Sequence, residues 1–152
     1  MKILHTSDWH LGRTFHRHSL HEWHQRFIDE LIDYATAEKI DVLLISGDVY
    51  DSAHPSAETT ELLGKTLDRL ALAGIQVVLS AGNHDSARRL GYGAGTLARQ
   101  GIYPVTTLKE TFEPVELTRD DIRVRIYAVP YLNPRYYGRQ LDVEPTHAAV
   151  LG

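Results

Sequence analysis

Asp41-Val42-Leu43-Leu44-Ile45-Ser46 carries four consecutive aliphatic side chains, and Ile75 to Leu79 repeats the pattern with Val77, Val78 and Leu79. A strand with one wet face alternates polar and apolar residues, so an unbroken run reads as a strand buried on both faces. Sheets of that kind are parallel and need a crossover, usually a helix, between strands. The intervening sequence supplies one. A helix is expected to open near Pro55-Ser56, to bury Leu62, Leu63, Leu67 and Leu70, and to end at Gly74. Upstream, Ile3-Leu4 starts a first strand. Ser19 and Glu22 then have capping-box spacing, and Leu20, Trp23, Phe27 and Leu31 recur at helical intervals. A short glycine-punctuated helix is expected over Ala87 to Arg99. The fold class is therefore α/β, with βα units on a largely parallel sheet.

Beyond Gly101 the pattern changes. Val115 to Thr118 and Ile122 to Val129 read as two strands joined at Arg119-Asp120-Asp121, a hairpin. Pro130, Asn133-Pro134 and Gly138 mark loops. His147 to Gly152 reads as the opening of a helix that stops before two turns. The expectation is one domain over residues 1–152 that represents only the N-terminal part of a larger fold.

The chain has 152 residues, 43% hydrophobic and 24% charged, which is an ordinary globular composition with enough length for a real core. Its formal net charge of −4 gives no global pull toward nucleic acid, so DNA binding would need a local basic patch or metal ions. The absence of cysteine excludes disulfides, thiolate metal sites and cysteine nucleophiles. No segment reads as a signal peptide or a membrane span, and a cytoplasmic protein is expected.

Three polar clusters share a position. Asp8-Trp9-His10, Gly47-Asp48-Val49-Tyr50-Asp51 and Gly82-Asn83-His84-Asp85 each follow directly on an expected strand. In a parallel sheet those positions converge at the carboxyl ends of the strands, where open α/β folds place ligands. Carboxylate oxygens, imidazole nitrogens and an amide oxygen make a site for Mn²⁺, Fe²⁺, Zn²⁺ or Mg²⁺. Asp8 and His10 sit two apart, so an extended segment would put both side chains on one side and turn Trp9 into packing. Gly47 and Gly82 are placed where the backbone must turn sharply. Asp48 has two oxygens with which to bridge a pair of metals. Two metals would activate water and clamp the attacking and leaving oxygens of a phosphate ester. His84 could give a proton to the leaving alkoxide, and Asp85 could orient it by hydrogen bonding.

The spacing Asp8-x-His10, Gly47-Asp48-x-x-Asp51 and Gly82-Asn83-His84-Asp85 resembles the calcineurin-like metallophosphoesterases. Within them, Met1 to Gly12, Gly47 to Asp51 and Val129-Pro130-Tyr131-Leu132 resemble the SbcD nucleases. The resemblance covers essentially the whole chain. It implies a β-sandwich flanked by helices, four layers α/β/β/α in the intact family, of which this chain holds the N-terminal portion. It implies that Asp8 and His10 bind a first metal, that Asp48 bridges, that Asn83 binds the second and that His84 is catalytic. It also implies two divalent ions, Mn²⁺ foremost, and exonuclease and hairpin endonuclease activity on DNA. The implied partner is an SbcC-like ATPase, and the intact protein would be a homodimer. The family completes its site with downstream histidines in a Gly-His-x-His motif that this chain lacks, so its own site is expected to be incomplete.

Each cluster alone has a plainer explanation as a turn, a loop start or a helix cap. Three in order, each at a strand end and each with oxygen or nitrogen donors, favour metal. Asp51 could support that site or pair with His54 at a helix start. Arg13, His16 and Arg17, with His18, follow the first cluster and could contact DNA, whereas His21 and His24 read as a solvated helix start. Arg88-Arg89 and the tyrosines from Tyr131 to Tyr137 could approach phosphate and stack on bases, or be solvated and packed. A phosphoesterase acting on a small diester or nucleotide is the alternative function. A catalytically silent half-domain is a third.

Overall fold

The computed structural model describes residues 1–152. Strand β1 (Ile3–Thr6) leads into a small hairpin of β2 (Thr14–Phe15) and β3 (His18–Ser19), then helix α1 (His21–Ala37) and strand β4 (Val42–Ser46). Helix α2 (Ala57–Leu72) and strand β5 (Gln76–Ser80) follow, then two short helices, α3 (Ala87–Leu90) and α4 (Ala94–Ala98), and strand β6 (Ile102–Val105). A single helical turn, α5 (Leu108–Thr111), precedes the hairpin of β7 (Val115–Arg119) and β8 (Ile122–Ile126), and helices α6 (Pro134–Leu141) and α7 (His147–Leu151) end the chain. No helix is long and apolar enough to cross a membrane.

The four main strands are parallel in the order β1-β4-β5-β6. Alternation along them sorts the core into two layers. Leu43 and Ile45 of β4 and Val77 and Leu79 of β5 join Ile28, Ile32, Leu63, Leu67 and Leu70 from α1 and α2 in one cluster. Val42 and Val78 point the other way, onto Leu117 of the β7–β8 hairpin. Both runs are thus buried on both faces, one by helices and one by a hairpin. This is the mixed α/β arrangement expected from the sequence, with the second β-layer represented by that one hairpin.

Helix α2 begins where Ser56 accepts a hydrogen bond from the Thr59 amide. It ends in a Schellman motif: Gly74 takes φ 73°, its N–H reaches the Ala71 carbonyl, and the Ile75 N–H reaches Leu70. Helix α1 departs from expectation in two ways. The capping box is not made, because Leu20 is the N-cap and the Ser19 hydroxyl serves the His21 amide instead. The buried stripe is Ile28, Ile32 and Ala35, while Trp23 is 64% exposed. Phe27 lies at the margin, its ring edge-on to Trp9 at 5.6 Å.

The expected helix over 87–99 divides at Gly93, which takes φ 74°. Strand β6 is only four residues long and carries Pro104, yet it pairs with β5 from the sheet edge, where a missing N–H is harmless. Strand β8 stops at Ile126, three residues short of the expected Val129. Asn133-Pro134 is no loop but a helix start, with the Asn133 side chain capping the Arg135 and Tyr136 amides and Pro134 in the first turn.

Candidate metal centre

The ends of β1 and β4 stay in register past their last ladder residues. The Asp8 N–H bonds the Gly47 carbonyl at 3.1 Å, His10 bonds Asp48 at 2.9 Å, and Leu11 bonds Val49 at 2.9 Å. This holds the first two polar clusters side by side. Trp9 is 5% exposed and donates its indole N–H to the Thr6 hydroxyl, which fixes the turn between the two expected ligands. The segment is not extended as the spacing suggested. Asp8 (φ 56°) and His10 (φ 45°) are both left-handed, and this puts their side chains on the same rim by another route.

The third cluster is brought in by a close backbone crossing. Asp48, at φ 47°, accepts the His84 N–H on Oδ1 at 3.0 Å. A Cβ on Gly82 would stand 2.1 Å from that oxygen and 2.2 Å from the Asp48 amide nitrogen. Glycine is needed at 82 for this approach and not for a turn, whereas Gly47 is needed for its φ of 77°.

Around the rim, His10 Nε2 lies 3.7 Å from Asp48 Oδ2 and 4.0 Å from Asp8 Oδ1. Its Nδ1 faces Asp51 Oδ1 at 3.1 Å, a close approach without the alignment of a hydrogen bond. Asp51 therefore backs His10 and does not pair with His54. The ligand atoms of His10, Asp48 and His84 all fall within 4.8 Å of one another. Asn83 is exposed beside them and lines, with Asp8 and Asp48, a cavity of about 270 Å³. The donors are oxygen and nitrogen only, and carboxylates crowded around one imidazole are a surface that a divalent cation would relieve of repulsion. The set fits a metal.

His84 Nδ1 faces the Asp51 carbonyl at 2.9 Å. That hydrogen bond, helped by the charges of Asp48 and Asp51 and opposed by slight desolvation and by Arg13, pushes the histidine above its ordinary pKa. Asp85 does not reach the His84 ring. Its Oδ2 accepts the Gly82 amide at 2.8 Å and the Val49 amide at 3.1 Å, and its Oδ1 accepts Tyr50 at 2.8 Å. It clamps the loops of the second and third clusters together through their backbones. Sequence offers no signal for such an interaction, because the partners are main-chain atoms.

Arg13 approaches Asp51 at 4.0 Å, at the base of the β2–β3 hairpin. His16 (φ 47°) and Arg17 (φ 68°) form its turn, and Phe15 is 66% exposed beside them. His24 differs from expectation: it turns inward, its Nδ1 is buried without a hydrogen-bond partner, and burial lowers its pKa, with His21 adding to the effect.

The family profile described as calcineurin-like phosphoesterase matches residues 1–144. The chain is 37% identical over 132 residues to the SbcD subunit of the SbcCD nuclease of Staphylococcus saprophyticus and 36% over 143 residues to that of Rhodobacter capsulatus. Against the corresponding protein of Staphylococcus epidermidis it is 33% identical over 132 residues. These matches take in 86%, 87% and 86% of this chain but 34%, 35% and 34% of the relatives, so the chain spans about a third of their length.

Proposed function

Because this chain belongs to the calcineurin-like phosphoesterase family, which uses divalent metals, we propose that it is part of a DNA nuclease that hydrolyses phosphodiesters at a two-metal centre. Residues 1–152 are the N-terminal part of the phosphoesterase domain in this reading. The observation that carries it is the convergence, within 4.8 Å at the carboxyl ends of parallel strands, of two metal-holding side chains, His10 and Asp48, with the proton donor His84.

Asp8, His10, Asp48 and Asn83 would hold the ions, Mn²⁺ foremost, with Asp48 shared between them. Bound there, the ions would supply Lewis acidity and a water of lowered pKa. The chain's own groups do the rest. Asp51 steadies the imidazole of His10. Asp85 fixes the spacing of the two loops. His84, with Nδ1 on the Asp51 carbonyl, keeps Nε2 free for the substrate, where it gives a proton to the leaving oxygen or holds charge on the phosphoryl group.

A DNA substrate is supported by the nuclease names of the relatives and by the hairpin that carries Arg13, His16 and Arg17 next to the site. The same reading assigns an SbcC-like ATPase as partner, DNA ends and hairpins as substrates, a homodimer for the whole protein and the cytoplasm as its place of action. The test compares Mn²⁺-dependent degradation of a DNA end with turnover of a chromogenic phosphodiester by the full-length protein. Degradation of DNA far above the small-diester rate is expected. Efficient turnover of a nucleotide with no loss of DNA would favour a small-molecule phosphoesterase.

A further inference from the structure

Next to the metal centre lies a second cleft, of about 550 Å³, which shares Ala81, Gly82, Asn83 and Tyr131 with the first. Its size lies within the range of roughly 300–1,000 Å³ found for small-ligand pockets. We infer that this cleft takes one unpaired nucleobase of the strand whose phosphate lies at the metal centre, stacked on Tyr131 and Tyr136. The inference rests on the nuclease reading and names a subsite within it.

Tyr131 is tied directly to the site: its N–H donates to the Ala81 carbonyl at 2.7 Å, one residue before Gly82. Tyr137 forms a fixed wall, since its hydroxyl accepts the Leu108 N–H at 3.3 Å. Tyr136 stands against that wall, edge to face at 4.9 Å, yet remains 65% exposed. A tyrosine braced by its neighbour and left open is a platform on which any base can stack.

The polar lining agrees. Asp85 and Glu110 are the acids of the cleft, and both are committed to backbone amides, Asp85 to three and Glu110 to those of Thr106 and Thr107. Arg88 forms no ion pair, so it is the one uncommitted charge of the lining and is available to a phosphate. Asn133 uses its carbonyl oxygen to cap α6, which leaves its amide hydrogens for acceptors on a base edge. Aromatic faces, one free cation and one amide donor suit a nucleotide. A purely apolar ligand would leave the last two unpaired.

The test uses the full-length protein with Mn²⁺ and a duplex whose single-stranded end carries 2-aminopurine. In stopped flow the fluorescence should fall on binding, before cleavage releases the base. Tyr136→Ala should remove that fall and lower kcat/KM on this DNA about tenfold relative to a chromogenic phosphodiester. Tyr136→Phe should retain both. An unchanged fluorescence trace and an unchanged ratio in Tyr136→Ala would overturn the subsite while leaving the nuclease reading in place. A wild-type protein that cuts no DNA would overturn the nuclease reading and the subsite with it.

Discussion

Replacing Asp85 by alanine removes the acceptor for three amides at once, those of Val49, Tyr50 and Gly82. A hydrogen bond to a charged group contributes ~1.5–3 kcal/mol, so three would sum to ~5–9 kcal/mol if they were independent. They share one carboxylate and are only part-buried, so water can reach some of the freed amides. A loss of ~3–5 kcal/mol is therefore expected. Asp85→Asn should fall between this and wild type. Its amide oxygen can take the Oδ2 position and keep the Val49 and Gly82 bonds, while its NH₂ meets the Tyr50 N–H donor to donor, for a loss of ~1.5–3 kcal/mol. The measurement is urea unfolding of metal-free protein, which separates the clamp from metal binding, with midpoints compared at equal m. Asp85→Ala within ~0.5 kcal/mol of wild type, the range of an ordinary surface change, would refute the clamp. So would asparagine being worse than alanine.

Asp48→Ala should abolish both metal binding, read by calorimetry, and hydrolysis, whereas His84→Ala should keep most of the metal affinity and slow the chemistry ~10²–10⁴-fold. If affinity and rate fall together in His84→Ala, its assignment as proton donor is wrong. Arg13→Ala with Arg17→Ala should weaken DNA binding and reduce the salt slope by ~1 for each phosphate no longer neutralised; an unchanged slope removes them from the interface. In metal-free protein, NMR titration should place His84 above the ordinary histidine value and His24 below it. A raised value means that the folded state holds the proton more tightly. Any stability from the His84–Asp51 bond is accordingly present at low pH and lost as pH rises through the folded pKa.

The strands that carry the site were legible because burial on both faces leaves a pattern that few other structures produce. Val42 to Ile45 could not be a wet strand, and the polar residues directly after it had to lie at the sheet's rim. The same reasoning failed at β6, where Pro104 hid an edge strand whose free side needs no donor. It failed at α6 too, where Asn133-Pro134 has the chemistry of a turn and of a helix start alike. On α1 the aromatic residues misled, since Trp23 is large but faces out, and the narrower Ile28-Ile32-Ala35 stripe makes the core. At the site, residue types pointed to Asp8, His10, Asp48 and His84. The clamp made by Asp85 and the need for glycine at 82 depend on main-chain atoms and on a crossing of two loops, and neither leaves a trace in side-chain spacing.

Asp8, His10 and Asp48 share one further property: each holds a left-handed backbone, at φ 56°, 45° and 47°. Glycine would adopt those angles without the Cβ penalty, whereas a non-glycine residue there carries strain of about 1 kcal/mol or more, aspartate bearing it better than most. A library selected for heat resistance alone would therefore drift toward glycine at Asp8 and His10, while at Asp48 the bond from the His84 N–H opposes the change. The survivors would be sturdier proteins that lack two of the proposed metal-holding side chains. Thermostabilising this chain safely means exempting these left-handed residues of the site from the search.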